Sequence, residues 1–162
     1  MPENNENPLL CSACQGECCR TKPGIEAPER FLATDDPAGA VYQALASGMW
    51  VLERHMGLPV TAETVQFADR MDRITYYPRP ATRAEHAKGS TMAEIGSGEC
   101  IFLEENGCRL IFDDRPRMCR ALEPESSCEC KSSWTRPDAA LAWFPWQGLI
   151  EKALRKIAKP YS

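Results

Sequence analysis

The chain crowds four cysteines into nine positions near its start, in the stretch CSACQGECC at residues 11–19. The other five cysteines all lie at residue 100 or beyond, and none lies between residues 20 and 99. A single cysteine is most often a small buried hydrophobe, but a C-x2-C spacing places two sulfur atoms around one turn of chain, as in metal-binding knuckles. The cysteine pattern therefore predicts a metal site before any other feature is considered.

The expected compartment supports this interpretation. The first ten residues, MPENNENPLL, are polar and acidic and lack the basic and apolar regions of a secretory signal. No apolar run approaches the roughly 18 residues that a membrane helix needs. We therefore expect a cytoplasmic protein that does not enter the membrane. Disulfides are rare in a reducing cytosol, where dense cysteine patterns usually indicate metal binding or catalysis.

Nearly all candidate ligands are thiols. The two histidines, His55 in a predicted helix and His86 in a predicted polar loop, lie far from any cysteine in sequence, and we interpret each as solvated or structural. A site made only of thiolates selects zinc or an iron–sulfur cluster. The C-x2-C-x3-C-C spacing matches neither the ferredoxin run nor the paired knuckles of a zinc ribbon, so zinc and a 4Fe-4S cluster both stay open.

The second cysteine group begins in GECIFLEENGCRLIF, which predicts a β-hairpin with a turn at Asn106-Gly107. A regular hairpin with the loop Glu105-Asn106-Gly107 pairs Cys108 with Glu104. Cys100 then lies about 13 Å further along the strand, too far for both sulfurs to bind one zinc ion. Either the chain curls away from regular hairpin geometry, or Cys100 and Cys108 serve different centres.

The next segment, DDRPRMCRAL, predicts a short helical turn that carries Cys119, with Pro116 in its first position. Asp113 or Asp114 is the expected cap of this turn. A basic residue follows four of the nine cysteines, and such residues stabilise thiolates when they face them. The four pairs are Cys19-Arg20, Cys108-Arg109, Cys119-Arg120 and Cys130-Lys131.

Taken together, CSACQGECC and ECIFLEENGCRLIFDDRPRMCR resemble the bacterial CxxCxxxCC proteins, which are described as zinc- or iron-chelating domains. The later signature of that family is matched by residues 100–103, 107–112 and 115–120, with Ile101 and Phe112 departing from the usual proline and tyrosine. One branch of the family resembles a flagellin lysine N-methylase, but this chain lacks the extra length expected of that enzyme. The resemblance implies seven metal ligands: Cys11, Cys14, Cys18, Cys19, Cys100, Cys108 and Cys119. Cys128 and Cys130 lie outside the signature.

The remaining segments predict a small α+β domain, mainly α, with a short β-hairpin, several helices and a metal that staples them. One helix is expected from Asp35-Asp36-Pro37, with Val41, Leu45, Met49, Leu52 and Met56 on one face and its end at residues 57–59. A shorter helix is expected over residues 61–73, and ITYYPRP reads as a strand or extended loop. Residues 79–99 show no clear periodicity. The clearest helix is C-terminal, over residues 145–159.

We expect one domain over residues 1–162, with the signature at residues 11–124. The aromatic group Trp134, Trp143, Phe144 and Trp146 is expected to belong to the core, although stacking on a ligand stays open. The basic face of the last helix, formed by Lys152, Arg155, Lys156 and Lys159, is interpreted as solvated.

No catalytic arrangement is recognisable, because neither histidine has a partner that would make it a base for a cysteine nucleophile. Three hypotheses follow: a protein that carries electrons, an iron–sulfur cluster or a metal; a zinc-stapled module that binds a protein or nucleic acid; or an iron-dependent enzyme that modifies proteins. We favour the first, with a metal ion or cluster as the ligand and a protein as a further partner. The net charge of -4 does not favour nucleic acid or an anionic membrane surface.

Overall fold

The computed structural model describes residues 23–57, 74–94, 96, 98–105, 107–123 and 131–158. Within these ranges the protein combines helices with small antiparallel β-hairpins, so the predicted α+β class is confirmed. The helix expected over residues 61–73 lies outside the described residues. No helix of the described part is long and apolar enough to cross a membrane.

Two helices open the described chain: α1 spans Glu29–Leu32 and α2 spans Pro37–Ala46. The predicted start of α2 is confirmed, since Asp36 caps it by accepting a hydrogen bond from the Gly39 N–H at 3.1 Å. The predicted end is wrong. The helix ends at Ala46, just before Gly48, whose φ of 76° favours glycine.

Leu52 and Met56, predicted on the helix face, lie instead in strand β1, Trp50–Met56. This strand pairs antiparallel with β2, Ile74–Pro80, so the predicted extended structure of ITYYPRP is confirmed. In the stretch WVLERHM only Trp50 and Val51 strongly favour a strand, so its pairing with β2 is what outweighs a helical spacing that matched by coincidence.

A helix that the sequence did not predict, α3, spans Arg83–Lys88. Thr82 and Glu85 form a reciprocal capping box at its start, and Gly89 ends it at a φ of 67°. The signal was the T-x-x-E spacing rather than any apolar period. His86 therefore lies in a helix, not in the predicted loop, just as His55 lies in β1 rather than in a helix.

The second half of the chain carries short elements and then two packed helices. Strands β3 (Leu103–Glu104) and β4 (Gly107–Cys108) form one hairpin, and β5 (Leu122–Glu123) and β6 (Lys131–Ser132) form another. Helix α4 spans Arg117–Arg120, α5 spans Arg136–Trp143 and α6 spans Gln147–Ala158. Single 3₁₀ turns precede α4 and α6, at Phe112–Asp114 and Phe144–Trp146. The predicted C-terminal helix is confirmed, beginning two residues later than expected.

The core lies where α5 and α6 pack against β2 and α2. Trp143 is fully buried, with its ring 5.9 Å from that of Phe31. Trp134 is also buried and Phe144 packs against the core, as predicted, whereas Trp146 is 39% exposed. The aromatic group is thus mostly core, and its last member lies at the surface.

Candidate metal centre

Cys119 lies on α4, the short helical turn that the sequence predicted for it. Its side chain contacts the backbone of Gly24: a Cβ atom on Gly24 would lie 2.7 Å from Cys119 Sγ and 3.1 Å from Met118 Cβ. Real Cβ atoms do not approach other atoms that closely, so only glycine fits at this position. Gly24, which follows Cys19 by five residues in the sequence, belongs to a buried segment at residues 23–28.

Hydrogen bonds fasten this buried segment to α4. The Met118 N–H donates to the Ile25 carbonyl at 3.1 Å, and the Arg117 N–H donates to Glu26 Oε1 at 3.2 Å. The predicted aspartate cap of α4 is wrong, because Asp113 and Asp114 lie in the preceding 3₁₀ turn and the acceptor comes from Glu26 instead. The segment that follows the N-terminal motif in the sequence is therefore joined to the helix that carries Cys119.

A guanidinium group strengthens the same junction from a third region. Arg136, the first residue of α5, donates to the Pro23 carbonyl at 3.1 Å and lies 3.6 Å from the Met118 sulfur. Its Nε also donates to Glu53 Oε2 at 2.8 Å, which anchors it to β1. Arg136 thus holds the segment that follows the N-terminal motif and the helix that carries Cys119 against one sheet.

Cys100 lies in a different setting, paired with Thr82 through an isolated antiparallel bridge at the start of α3. The chain then turns at once, since the Leu103 N–H donates to the Cys100 carbonyl at 3.0 Å. Beyond the turn, Leu103 pairs with Cys108, and the Arg109 N–H donates to the Phe102 carbonyl at 2.7 Å. The hairpin therefore starts after Cys100 and does not include it.

The predicted hairpin is confirmed, but its predicted register and length are wrong. Cys108 pairs with Leu103 rather than Glu104, and residues 110–112 continue into a turn instead of a strand. Since Cys100 is not part of a regular ladder, the separation of about 13 Å calculated along one does not apply. The described chain therefore bends away from hairpin geometry at Cys100, and the alternative of two different centres stays a prediction.

Burial controls the chemistry of Cys100, whose residue is only 6% exposed. Burial is the main reason that the pKa of its thiol is raised to about 11, and the negative charge of a Cys108 thiolate acts in the same direction. The amide of Phe102 and the charges of Arg79 and Arg83 act in the opposite direction. Cys100 and Cys108 thus lie close enough to influence each other, and metal binding to Cys100 would have to release a proton.

The arginines that follow cysteines in the sequence contact other groups, and different arginines act on Cys100. Arg109 lies over the Phe102 ring at 5.3 Å, and Arg120 donates to the Arg115 carbonyl at 3.0 Å. The arginines whose charge lowers the pKa of Cys100 are Arg79 and Arg83, which are distant in sequence. Arg83 lines a groove of about 750 Å³ together with Cys108 and Arg109.

Arg79 itself is part of a buried ion-pair network behind Cys100. Its side chain is 1% exposed and donates to Glu53 at 2.8 Å and to Glu85 at 2.9 and 3.0 Å. Burial alone would raise the pKa of the Glu85 carboxyl, but the hydrogen bonds from Arg79 and from the amides of Thr82 and Glu94 hold it below its ordinary value. The start of α3, beside Cys100, is therefore fixed by charges shared with β1 and β2.

The histidines take no part in a thiol site within the described residues. His86 Nδ1 lies 2.9 Å from the Gly48 carbonyl, and His55 Nδ1 lies 3.4 Å from the Tyr77 hydroxyl. Burial lowers the pKa of His55, although the nearby charge of Glu53 acts against this. Each contact joins the histidine to a residue distant in sequence, and the solvated or structural roles expected for these two side chains stay a prediction.

The four N-terminal candidate ligands, Cys11, Cys14, Cys18 and Cys19, lie outside the described residues, as do Cys128 and Cys130. Cys100, Cys108 and Cys119 are described and carry thiol groups. Among the described side chains, no three or more of His, Cys, Asp and Glu gather in an arrangement that could hold a metal ion. The thiol donors suit zinc or an iron–sulfur cluster, but a complete site would need ligands from the rest of the chain.

Sequence reasoning missed the residues that hold the described thiols. Gly24, Glu26, Arg79, Arg83 and Arg136 act through contacts with residues far along the chain, and no short motif marks them. The one local signal was the Pro-Gly pair at residues 23–24, which indicates a turn or a close approach of the backbone. Comparison of the chain with protein-family models, curated proteins and solved structures finds no match.

Proposed function

We propose that this protein is a cytoplasmic metal-chelating protein that binds an iron–sulfur cluster or zinc through clustered cysteine thiolates. Its role would be to handle electrons, clusters or metal, as the resemblance to the CxxCxxxCC proteins implies. The proposed ligands are the seven cysteines that the resemblance implies: Cys11, Cys14, Cys18, Cys19, Cys100, Cys108 and Cys119.

One observation carries the proposal: Cys119 Sγ lies against Gly24, in the segment that continues the N-terminal motif. Cys19 precedes Gly24 by five residues, which span at most about 18 Å when fully extended. Hydrogen bonds from Met118 and Arg117 fix this proximity. The fold therefore supports a shared centre by joining the two cysteine-bearing regions at their edges.

The protein side chains would bind and orient the centre. Thiolates, not thiols, bind the metal, so the bound centre would keep Cys100 deprotonated despite its raised pKa. Arg79 and Arg83 favour the thiolate of Cys100, and Gly24 leaves room for the sulfur of Cys119. When bound, an iron–sulfur cluster would supply one-electron chemistry, whereas zinc would supply only a structural link.

Metal analysis of protein purified without oxygen tests the proposal. We expect stoichiometric iron and sulfide, with broad visible absorption that dithionite bleaches, or else stoichiometric zinc in a colourless sample. Iron and sulfide support cluster or electron handling, and zinc supports a metal-stapled module. Absence of all three from carefully protected samples, and after reconstitution, contradicts the proposal.

Cysteine variants test the ligands one at a time. Cys14→Ser and Cys119→Ser are expected to lose metal and much of the free energy of unfolding, because metal affinity contributes directly to folding in such domains. Cys128→Ser, outside the signature, is the matched control and should retain both. Full metal retention by Cys14→Ser and Cys119→Ser would refute the ligand assignment.

A further inference from the structure

Glu26 is the acidic residue around which the Cys119 region is organised. The residue is fully buried, with 0% exposure, yet it carries a carboxylate. One carboxylate oxygen accepts hydrogen bonds from the Ala27 N–H at 2.7 Å and the Arg117 N–H at 3.2 Å. The other oxygen pairs with Arg30 Nε, and Arg120 Nη2 lies 3.8 Å from the first. A buried carboxylate is thus satisfied by donors from three chain segments.

The contact with Arg117 matters because α4 is too short to be stable alone. It has four residues, and Pro116 at its N-cap offers no side-chain acceptor for the unpaired N–H groups of the first turn. Glu26 accepts one of them from outside the helix, and its negative charge lies at the positive end of the helix. A cap supplied from a distant segment fixes where this helix, and therefore Cys119, lies.

The backbone of Glu26 is as firmly held as its side chain. Its N–H donates to the Pro78 carbonyl of β2 at 3.0 Å, and its carbonyl accepts from Trp143 Nε1 of α5 at 2.7 Å. Pro78 and Trp143 are themselves fully buried. The carboxylate that caps α4 is therefore mounted on the sheet and on a core helix rather than on a loop.

A buried ion pair is rarely the most stabilising way to fill a core, since apolar side chains of similar volume often do as well or better. Its directional hydrogen bonds instead select one placement of the groups that it binds. We propose that Glu26 is a positioning residue for Cys119, and that its carboxylate sets the thiol against Gly24 where the metal ligands converge. The convergence of metal ligands at this point rests on the proposed function, whereas the placement of Cys119 does not.

Site-resolved alkylation of the reduced, metal-free full chain tests this inference. Glu26→Gln keeps the shape of the side chain but replaces an acceptor by a donor and removes the charge. Each thiol is labelled with iodoacetamide, and the rates for Cys119 and Cys100 are read by mass spectrometry. We expect Cys119 to react about five- to thirty-fold faster in the variant, and Cys100 to be unchanged.

Glu29→Gln is the matched control. Glu29 lines the same groove of about 690 Å³ as Glu26 and loses the same charge on substitution, but it is exposed. In Glu29→Gln, Cys119 is expected to be labelled at the wild-type rate. An unchanged Cys119 rate in folded Glu26→Gln overturns the inference, and so does an equal increase at Cys100, which would indicate general loosening.

A second variant covers the case in which Glu26→Gln does not fold. Arg120→Gln removes one partner of the carboxylate while Arg30 and the backbone donors stay, and Arg120 is only partly buried. A smaller increase in Cys119 labelling, again without change at Cys100, supports the inference, and no increase overturns it. Metal content of the same variants, measured as purified and before the metal is removed for labelling, reports on the proposed function separately, so the two can fail independently.

Discussion

The Cys119 and Cys100 regions position their thiols by opposite electrostatic means. At Cys119 a buried carboxylate accepts a backbone N–H, and the sulfur fits against a glycine. At Cys100 a guanidinium contacts the turn, since Arg83 donates to the Leu103 carbonyl and to Glu99. The difference follows from local structure, because a helix start presents N–H groups and a turn presents carbonyls.

The two regions also differ in what lies behind them. Cys100 borders the network of Arg79, Glu53 and Glu85, in which the buried charge of Arg79 on β2 depends on partners from β1 and α3. Cys119 instead borders close backbone packing, where a single added methyl group has no space. Substitutions in the Cys100 region should therefore destabilise the protein by leaving charged groups unpaired. Substitutions in the Cys119 region should destabilise it by steric overlap.

The largest effect is expected from Arg79→Met. It leaves the carboxylates of Glu53 and Glu85 without their main buried partner, which costs about 3–5 kcal/mol of the free energy of unfolding. Urea unfolding followed by circular dichroism measures this. Lys88→Met is the control, because the Lys88–Glu94 pair has side chains 62% and 42% exposed and contributes less than about 1 kcal/mol.

The same variant distinguishes the two regions. In Arg79→Met, the alkylation rate of Cys100 should increase at a lower urea concentration than that of Cys119, since the network lies behind Cys100. A loss below about 1 kcal/mol, or earlier exposure of Cys119, would mean that the network does not support the Cys100 side in particular.

A smaller loss is expected from Gly24→Ala, which tests the Cys119 side. The new Cβ would lie 2.7 Å from Cys119 Sγ and 3.3 Å from the Cys119 backbone nitrogen, so α4 must shift. Overpacking of this kind costs about 1–3 kcal/mol, measurable by urea unfolding. Labelling of Cys119 should increase while that of Cys100 stays constant.

Gly148→Ala is the matched glycine control, with an expected effect of the opposite sign. A Cβ at Gly148, in the first turn of α6, meets nothing within 4 Å. Alanine should therefore stabilise this helix by up to about 1 kcal/mol. If Gly24→Ala were equally neutral or stabilising, the close contact with Cys119 could not be what positions that thiol.

Local patterns predicted the elements that depend on local contacts. The amphipathic spacing of the C-terminal helix, the strand ITYYPRP and the helical turn that carries Cys119 were all recognisable. The continuation of α2 through Leu52 and Met56 was wrong because an apolar spacing that fits a helix also fits a strand whose partner is not yet known.

The positions of the thiols were less predictable, because residues far apart in sequence determine them. The observed register of Cys108 differs from the predicted one by one residue, because the number of residues in a hairpin loop cannot be read from the sequence alone. Glu26 contacts Arg117 across 91 residues, and Arg136 contacts Pro23 across 113. Sequence indicated which residues bear the chemistry but not which residues hold them.

The last predictions concern the titration of Cys100 in the metal-free protein. Burial raises its pKa from 9.0 to about 11, so at pH 8 it should hold about a hundredfold less thiolate than an ordinary cysteine. The alkylation rate should rise with a midpoint near pH 11. Because the unfolded chain loses this proton first, the free energy of unfolding should fall by about 1.4 kcal/mol per pH unit from pH 9 to 11.

Arg83→Gln refines this titration. The positive charge of Arg83 lowers the pKa of Cys100, so its removal should move the alkylation midpoint upward and slow labelling at pH 10. The side chain is 51% exposed and solvent screens its charge, so we expect at most about a twofold change in rate. The turn itself should survive, because the Arg83 N–H still donates to the Glu99 carbonyl at 2.9 Å. Faster labelling of Cys100 would instead show that the guanidinium holds the turn closed, and that its contact with Leu103 outweighs its charge.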